Sequence, residues 1–415
     1  MRILYVAYDR PHRVMGPTVN AQRLLPALAS AGIEPSVLLL HGGAGAPAAD
    51  HFRDHGVPVH VARRCRYVRQ QIRWFVETVR AARPDVFVPN LSVAGWSASR
   101  YIRPAGIPTI AAHRREDPFY ESMLDRFVFG DPRDAVSGVV SVSRSVHRRI
   151  ESAGGSRTSA AWIPSGVPMP ADATADRRPF TMLALGRLEG HAKRIGAVVD
   201  TMIEVVRRHP ATRARIVGDG TAREDLERRV GSAGLTSAFE FVGHVVPGDI
   251  PRAVAGTSVI LQLSDREGTP GALMDAMAAG VVPVARRCSD GVAELVRDGV
   301  DGTLIEPTDD IGQERSLAVD AIERCINAPD RWHAHSTACR EQIRAQYSID
   351  SMVDRWIDFL ETVRRGAERP GRVRRPWTIP LPPRNEAFDG EDRRRRWYKR
   401  VMNGRRIPQP VPRAA

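Results

Sequence analysis

The stretch that decides the fold is SDREGTPGALMDAMAAGVVPVA, Ser264–Ala285. Val259–Leu263 before it is a short, wholly apolar run, and Pro283–Ala285 closes it with another. Between them lies a polar loop, then a helix: Pro270 suits a first helical turn and Gly280 its stop. A buried strand, a loop, a helix and a second buried strand make a parallel crossover unit. The reading puts Glu267 in the loop beyond the first strand and Asp275 one to two turns into the helix. Free amides at that helix start would point at whatever Glu267 touches. Gly271, Ala272, Ala276, Ala278 and Ala279 permit close approach. A tightly packed helix carrying two incidental acids is the plainer alternative.

The same alternation runs outward in both directions. Ile3–Ala7, Ser36–Leu40, Asp85–Pro89, Thr109–Ala112 and Val139–Val142 read as strands, and Thr18–Ala31 as a helix. The polar, proline-bearing MPADATADRRP, Met169–Pro179, reads as a linker. Strands then resume at Thr181–Leu185, Ala214–Val217, Phe239–Val242 and Thr303–Ile305, with helices at Gly196–Arg208 and Arg223–Ala233. Further helices fall at Glu314–Asn327, Ala338–Gln346 and Met352–Val363. Strands that are apolar throughout belong to parallel sheets covered on both faces. The fold class is therefore α/β, with two doubly wound, Rossmann-like halves facing across a cleft. The expected division is residues 1–168, a linker 169–179, residues 180–348, a helix 349–365 packing back on the first half, and a tail 366–415.

Bulk composition agrees with this. A chain of 415 residues exceeds one core, and an apolar fraction of 42% suffices for two. No run approaches the roughly 20 apolar residues of a membrane span. MRILYVAYDRPHR is too short an apolar stretch for a secretory signal, which makes a cytoplasmic protein the expectation. Cys65, Cys288, Cys325 and Cys339 form no CxxC pair and suggest neither zinc nor a disulfide framework. The net charge of +13 is concentrated in the tail, where 14 Lys/Arg face 5 Asp/Glu from residue 366 onward. The globular part is close to neutral, so no nucleic-acid partner is expected.

Three other turns carry chemical content. GRLEGHAKR, Gly186–Arg194, ends a strand and places Arg187 and Lys193 just before a helix, a cation pair suited to a diphosphate. Two solvated surface cations are the bland reading. In IVGDG, Ile216–Gly220, Gly218 and Gly220 would let backbone amides approach a ligand. FVGHV, Phe241–Val245, brings His244 and Val245 to a strand end that could border a flat base, or merely bend a core strand.

Taken in series, GRLEGHAK, IVGDG, FVGHV, SDREGTPGALMDAMAAGVVPVA, GVAELVRDGVDG and TLIEP resemble the donor-binding domain of retaining GT-B glycosyltransferases, specifically glycosyltransferase family 4. The first half resembles the family more loosely through MRILYVAY, Gly16, SVSRSV and IPSGVP. The resemblance implies a GT-B fold and transfer of a sugar from a nucleotide-diphosphate sugar, with retention of configuration, to a carbohydrate, lipid-linked or small-molecule hydroxyl. It implies that Arg187 and Lys193 hold the donor diphosphate and that Glu267 binds the donor sugar. Gly268, Thr269, Pro270, Gly271 and Ala272 match the turn whose amides approach sugar and phosphate. Asp275 stands where the family has a second glutamate, on the ribose. Gly16 matches the glycine loop that meets the diphosphate, and His113 a histidine near the donor sugar, unless it is an ordinary loop residue.

No Asp-x-Asp tripeptide is present, so metal-independent transfer without a cofactor is expected, with cations and helix amides stabilising the leaving group. An epimerase or hydrolase of the same fold, or a non-catalytic nucleotide-sugar-binding partner, are the competing functions. In the tail, Arg393–Arg396 with Trp377, Trp397 and Tyr398 suits an anionic membrane surface, or a solvated extension.

Overall fold

The computed structural model describes residues 1–9, 16–41, 46–63, 67–114, 118–152, 158–171, 179–189, 192–367 and 373. The central part of the linker and nearly all of the basic tail, including Trp377 and Arg393–Tyr398, lie outside the described residues.

The first half is built on seven strands: β1 (Arg2–Asp9), β2 (Glu34–His41), β3 (Val59–Arg63), β4 (Val86–Asn90), β5 (Thr109–His113), β6 (Gly138–Ser141) and β7 (Ser159–Trp162). The second has six: β8 (Thr181–Leu185), β9 (Arg213–Val217), β10 (Phe239–Gly243), β11 (Val259–Gln262), β12 (Val282–Arg286) and β13 (Thr303–Ile305). Their orders are β3-β2-β1-β4-β5-β6-β7 and β10-β9-β8-β11-β12-β13, and these neighbouring strands all pair in parallel. Both sheets thus reverse winding between their first and fourth strands, the doubly wound pattern expected from the sequence. A ligand crevice opens beyond the strand ends at such a reversal.

Successive residues of β1 show why these strands lack alternation. Ile3 and Tyr5 pack with Leu24, Leu28 and Trp356 on one face, while Leu4 and Val6 pack with Phe75 and Val79 on the other. In the second half Met182 and Ala184 meet Val199 and Met202, and Leu183 meets Leu273 and Met277 on the opposite face. The edge strand β10 departs from the expectation: its residues alternate half-buried and exposed, because only one face is covered.

Strands β3 and β7 carry no expectation above. VHVAR and SAAW are short, and SAAW lacks β-branched residues, so neither stands out from loop sequence. The helices Val68–Ala82, Val93–Ile102, Pro118–Phe127 and Arg144–Ser152 likewise emerge only in the structure.

The chain crosses between the halves twice, and the crossings run side by side. Val167 pairs with Ser348, its amide donating to the Tyr347 carbonyl at 2.9 Å. Helix Ile349–Arg365 then joins the core of the first half through Met352, Trp356, Phe359 and Leu360, with Trp356 edge-on to Tyr5.

Candidate active site

The loops that leave β8 and β11 flank the reversal point of the second sheet, and they meet. The Asp265 amide donates to the Ala192 carbonyl at 2.9 Å, tying the two backbones together. One residue after Ala192, Lys193 Nζ lies 2.5 Å from Oε1 of Glu267, which is two residues after Asp265. Gln262 Nε2, from the end of β11, donates to the same oxygen at 3.0 Å. Among the described residues Oε1 is committed twice, which leaves Oε2 for another donor. Both side chains are largely shielded, at 29% and 12% exposure, so salt screens their attraction less than that of a surface ion pair.

Glu267 borders a small cavity of about 10 Å³, room for about one water, that the two halves build jointly. Gly268, Ser289 and Gly291 line it from the second half, and His113, Val142 and Ser143 from the first. His113 ends β5 and is 1% exposed; its Nε2 stands 3.8 Å from Glu121 Oε1, and its ring lies against Tyr120. Thr269 crosses the boundary, donating through Oγ1 to the Val142 carbonyl at 3.2 Å. A Cβ on Gly291 would lie 2.5 Å from the Gly268 carbonyl oxygen, so that glycine is what lets the loop close down.

Helix Gly271–Ala278 starts at Pro270, and no side chain caps it. The amides of Gly271 and Ala272 are first-turn donors without helical partners, next to Gly268. The helix stops at Gly280, whose φ of +74° is the left-handed value that favours glycine. Asp275, one turn in, faces the first half. Its Oδ1 accepts from Arg23 Nη2 at 2.9 Å, and Arg23 Nη1 reaches the Gly166 carbonyl at 3.2 Å. Burial raises the Asp275 carboxyl above its ordinary range, and the Arg23 guanidinium opposes that rise.

The other sequence-derived residues either contact the protein itself or lie exposed. Arg187 makes a fork with Glu189 at 2.8 and 2.9 Å, and both side chains are about half exposed. Gly218 and Gly220 are used for packing. A Cβ at Gly218 would stand 1.8 Å from the Gly186 carbonyl oxygen, and one at Gly220 2.5 Å from that of Leu188. Their amides are already engaged, by the Gly243 carbonyl and by Asp219 Oδ1. His244 is exposed, while Val245 is half-buried against the core of the second half. Gly16 opens helix Gly16–Ser30; the loop before it lies outside the described residues.

Several residues of the site escaped the sequence reading. Ser289 caps helix Asp290–Leu295 and donates to the Gly268 carbonyl at 3.3 Å; a Ser before Asp-Gly-Val-Ala-Glu is a legible cap signal. Arg23 carries no such signal, being one polar residue among several on an amphipathic helix. Among the described residues no group of three or more His, Cys, Asp or Glu side chains could hold a metal ion, and no helix is long and apolar enough to cross a membrane.

Comparison with known proteins gives a match in each half. Residues 179–326 match the family described as "Glycosyl transferases group 1", and residues 15–169 match "Glycosyltransferase Family 4". Among curated relatives, an exopolysaccharide phosphotransferase of Streptomyces coelicolor is 29% identical over 312 residues, which are 72% of this chain and 32% of that protein. A GDP-mannose-dependent alpha-(1-6)-phosphatidylinositol monomannoside mannosyltransferase of Mycobacterium tuberculosis is 29% identical over 59% of this chain and 65% of its own length. The matches thus span between about a third and just under two thirds of these relatives. Among solved structures, Anabaena HepE in complex with UDP superposes with a TM-score of 0.67 at 19% identity, covering 87% of this chain and all of that one. The pneumococcal O-GlcNAc transferase GtfA, in complex with UDP and GlcNAc, gives 0.71 at 11% identity, over 88% and 99%. At such identities the likeness is one of fold.

Proposed function

We propose that this chain, a GT-B glycosyltransferase in the make-up of both its halves, transfers a sugar from a nucleotide-diphosphate sugar to an acceptor hydroxyl, with retention of anomeric configuration and without a metal. The observation that carries the reading is the Lys193–Glu267 pair, set at the reversal point of the second sheet and facing His113 across the boundary between the halves. A nucleotide-diphosphate donor is supported by relatives of the same fold: by their names one uses GDP-mannose, and two solved structures hold UDP.

The chemistry follows from where charge develops. As the bond from the anomeric carbon to the diphosphate oxygen breaks, negative charge grows on the leaving group and the sugar becomes oxocarbenium-like. Lys193, with three N–H donors, can keep one on Glu267 and turn others to the phosphate oxygens. The uncapped amides of Gly271 and Ala272 offer further donors, fixed before the reaction begins. Glu267 Oε2 accepts from a hydroxyl of the donor sugar. The acceptor oxygen attacks the face the diphosphate leaves, and its proton passes to the departing phosphate oxygen, so configuration is retained and charge balances. Arg187, at the mouth, takes part by releasing Glu189 for the diphosphate. Acceptors are sugars, lipid-linked or small-molecule alcohols, admitted from the first half.

The test is turnover over a panel of UDP-, GDP- and ADP-sugars, with and without acceptors, in EDTA. Transfer that EDTA leaves unchanged is expected. Turnover that ignores every acceptor would instead make the chain a hydrolase or epimerase, and donor binding without turnover a partner protein.

A further inference from the structure

Arg194, next to Lys193, has φ +46° and ψ +38°, the left-handed region that an L side chain adopts at a cost. The other described non-glycine residues with positive φ are Arg83 and Asn90. Arg83 ends a helix, where a left-handed residue closes the last turn, and asparagine tolerates the conformation. Arg194 instead precedes a helix, in a place where neither excuse applies. Its side chain supplies the reason. Arg194 Nη1 lies 2.5 Å from Glu314 Oε2, and Glu314 is only 1% exposed. Arg286, the last residue of β12, grips the same carboxylate from Nε at 3.0 and 3.2 Å, and the Thr308 amide donates to it at 2.8 Å. Both guanidiniums also stand within 3.7 Å of Asp265, two residues before Glu267.

We propose that Arg194, Arg286 and buried Glu314 form a positioning device that holds the loop bearing Lys193 against the loop bearing Glu267. This rests on the transferase reading and deepens it. The left-handed turn sends consecutive cations to different partners, Lys193 to Glu267 in the cleft and Arg194 to Glu314 in the interior. Glu314 is a single buried anion shared by two loops and a helix, and an anion so shielded stays where its cations hold it. Burial works to raise its carboxyl, but the Thr308 amide and the two guanidiniums outweigh that and hold it below the ordinary range. A displacement of about 1 Å at reacting groups can lower a rate 100-fold, so this fixation reaches turnover although none of the three residues needs to touch substrate.

R194G is the decisive variant, because glycine favours the observed φ while the guanidinium is lost. It is compared with R83G, the same change at an exposed left-handed arginine outside the site. R194G is expected to unfold within a few degrees of the wild type, with kcat lowered about 10- to 100-fold and donor KM changed less than about threefold. R83G is expected to leave kcat and KM unchanged. Wild-type kcat in R194G would overturn the proposal. If R194G does not fold, R194K decides, since it keeps a cation and loses the planar fork: kcat lowered at least about threefold supports the device, and unchanged kcat overturns it. If the wild type turns over no nucleotide-sugar, the transferase reading itself has failed, and amide hydrogen exchange then tests the device alone. Exchange at Asp265, bonded to the Ala192 carbonyl, should be at least about tenfold faster in R194G, and equal exchange would remove the proposal.

Discussion

Glu267 and Asp275 sit on one short stretch of chain, each paired with one cation, yet the two pairs span different boundaries. Glu267 pairs with Lys193 inside the second half, between two loops of the same sheet. Asp275 pairs with Arg23, a residue of the first half, and that arginine also holds the Gly166 carbonyl where the chain first crosses over. One pair lies wholly within the second half, and the other spans the boundary between the halves. The loop of Glu267 and the helix of Asp275 therefore join the Lys193 contact to the contact between the halves.

This contrast can be broken at either end. The largest effect is expected for K193A, which should lower turnover by about 100- to 1000-fold, as removal of one fixed donor to a leaving group does; near-normal kcat in an otherwise folded variant would sink the assignment. E267Q keeps the shape but loses the negative charge that faces Lys193, and should lower kcat about 10- to 100-fold with little change in donor KM. D275N should do the reverse, raising donor KM several-fold with kcat nearly kept, because the Asp275 carboxylate ties the second half to Arg23 of the first; an equal fall in kcat for both variants would mean that the two acids act as one unit. Arg23 sharpens the comparison further. A double-mutant cycle of R23A and D275N should give a coupling of about 0.5–3 kcal/mol in unfolding or donor-binding free energy, whereas K193A and D275N should add. The smallest effect concerns His335, which lies in helix Pro329–Gln346, away from the cleft. Burial, and after it Arg331, holds its pKa below the ordinary 6.5. The unfolded chain then binds that proton more readily, so His335 contributes stability above pH 6.5 that is lost as pH falls from 6.5 through the lowered value. Thermal unfolding from pH 7.5 to 5 should decline less steeply in H335Q; parallel profiles would contradict this.

The second half was almost fully legible. Thr181–Leu185 and Thr303–Ile305 have the expected bounds, and most of its other strands and helices differ by a residue or a few at their ends. Four of its six strands are short, largely apolar runs, so local pattern and tertiary burial agree there, while β9 and β10 carry Arg213, Arg215 and Glu240. In the first half β3 and β7 were invisible, because an edge position needs few apolar residues. The motif loops were also legible as loops, but what their residues do was not. Arg187 and Lys193 look alike as cations before a helix, and the structure sends one to Glu189 on the surface and the other to Glu267 in the cleft. Gly218 and Gly220 look like ligand-binding glycines, and they are needed because the β8 loop lies directly against them.

What the amino-acid order determined by itself was the winding: apolar runs of strand length separated by helix-length amphipathic segments permit little but two parallel sheets covered on both faces. It also determined which turns carry charge, since strand ends and helix starts follow from the same periodicity. The tertiary structure alone decided the partners. Arg23 and Asp275 are 252 residues apart, Lys193 and Glu267 are 74, and Arg194 and Glu314 are 120. No local propensity distinguishes an arginine that will meet an acid from one that will meet water. Which cation is buried, and against which carboxylate, is set by how two sheets and the crossing between them pack. The strength of each pair then follows from the water that this packing excludes.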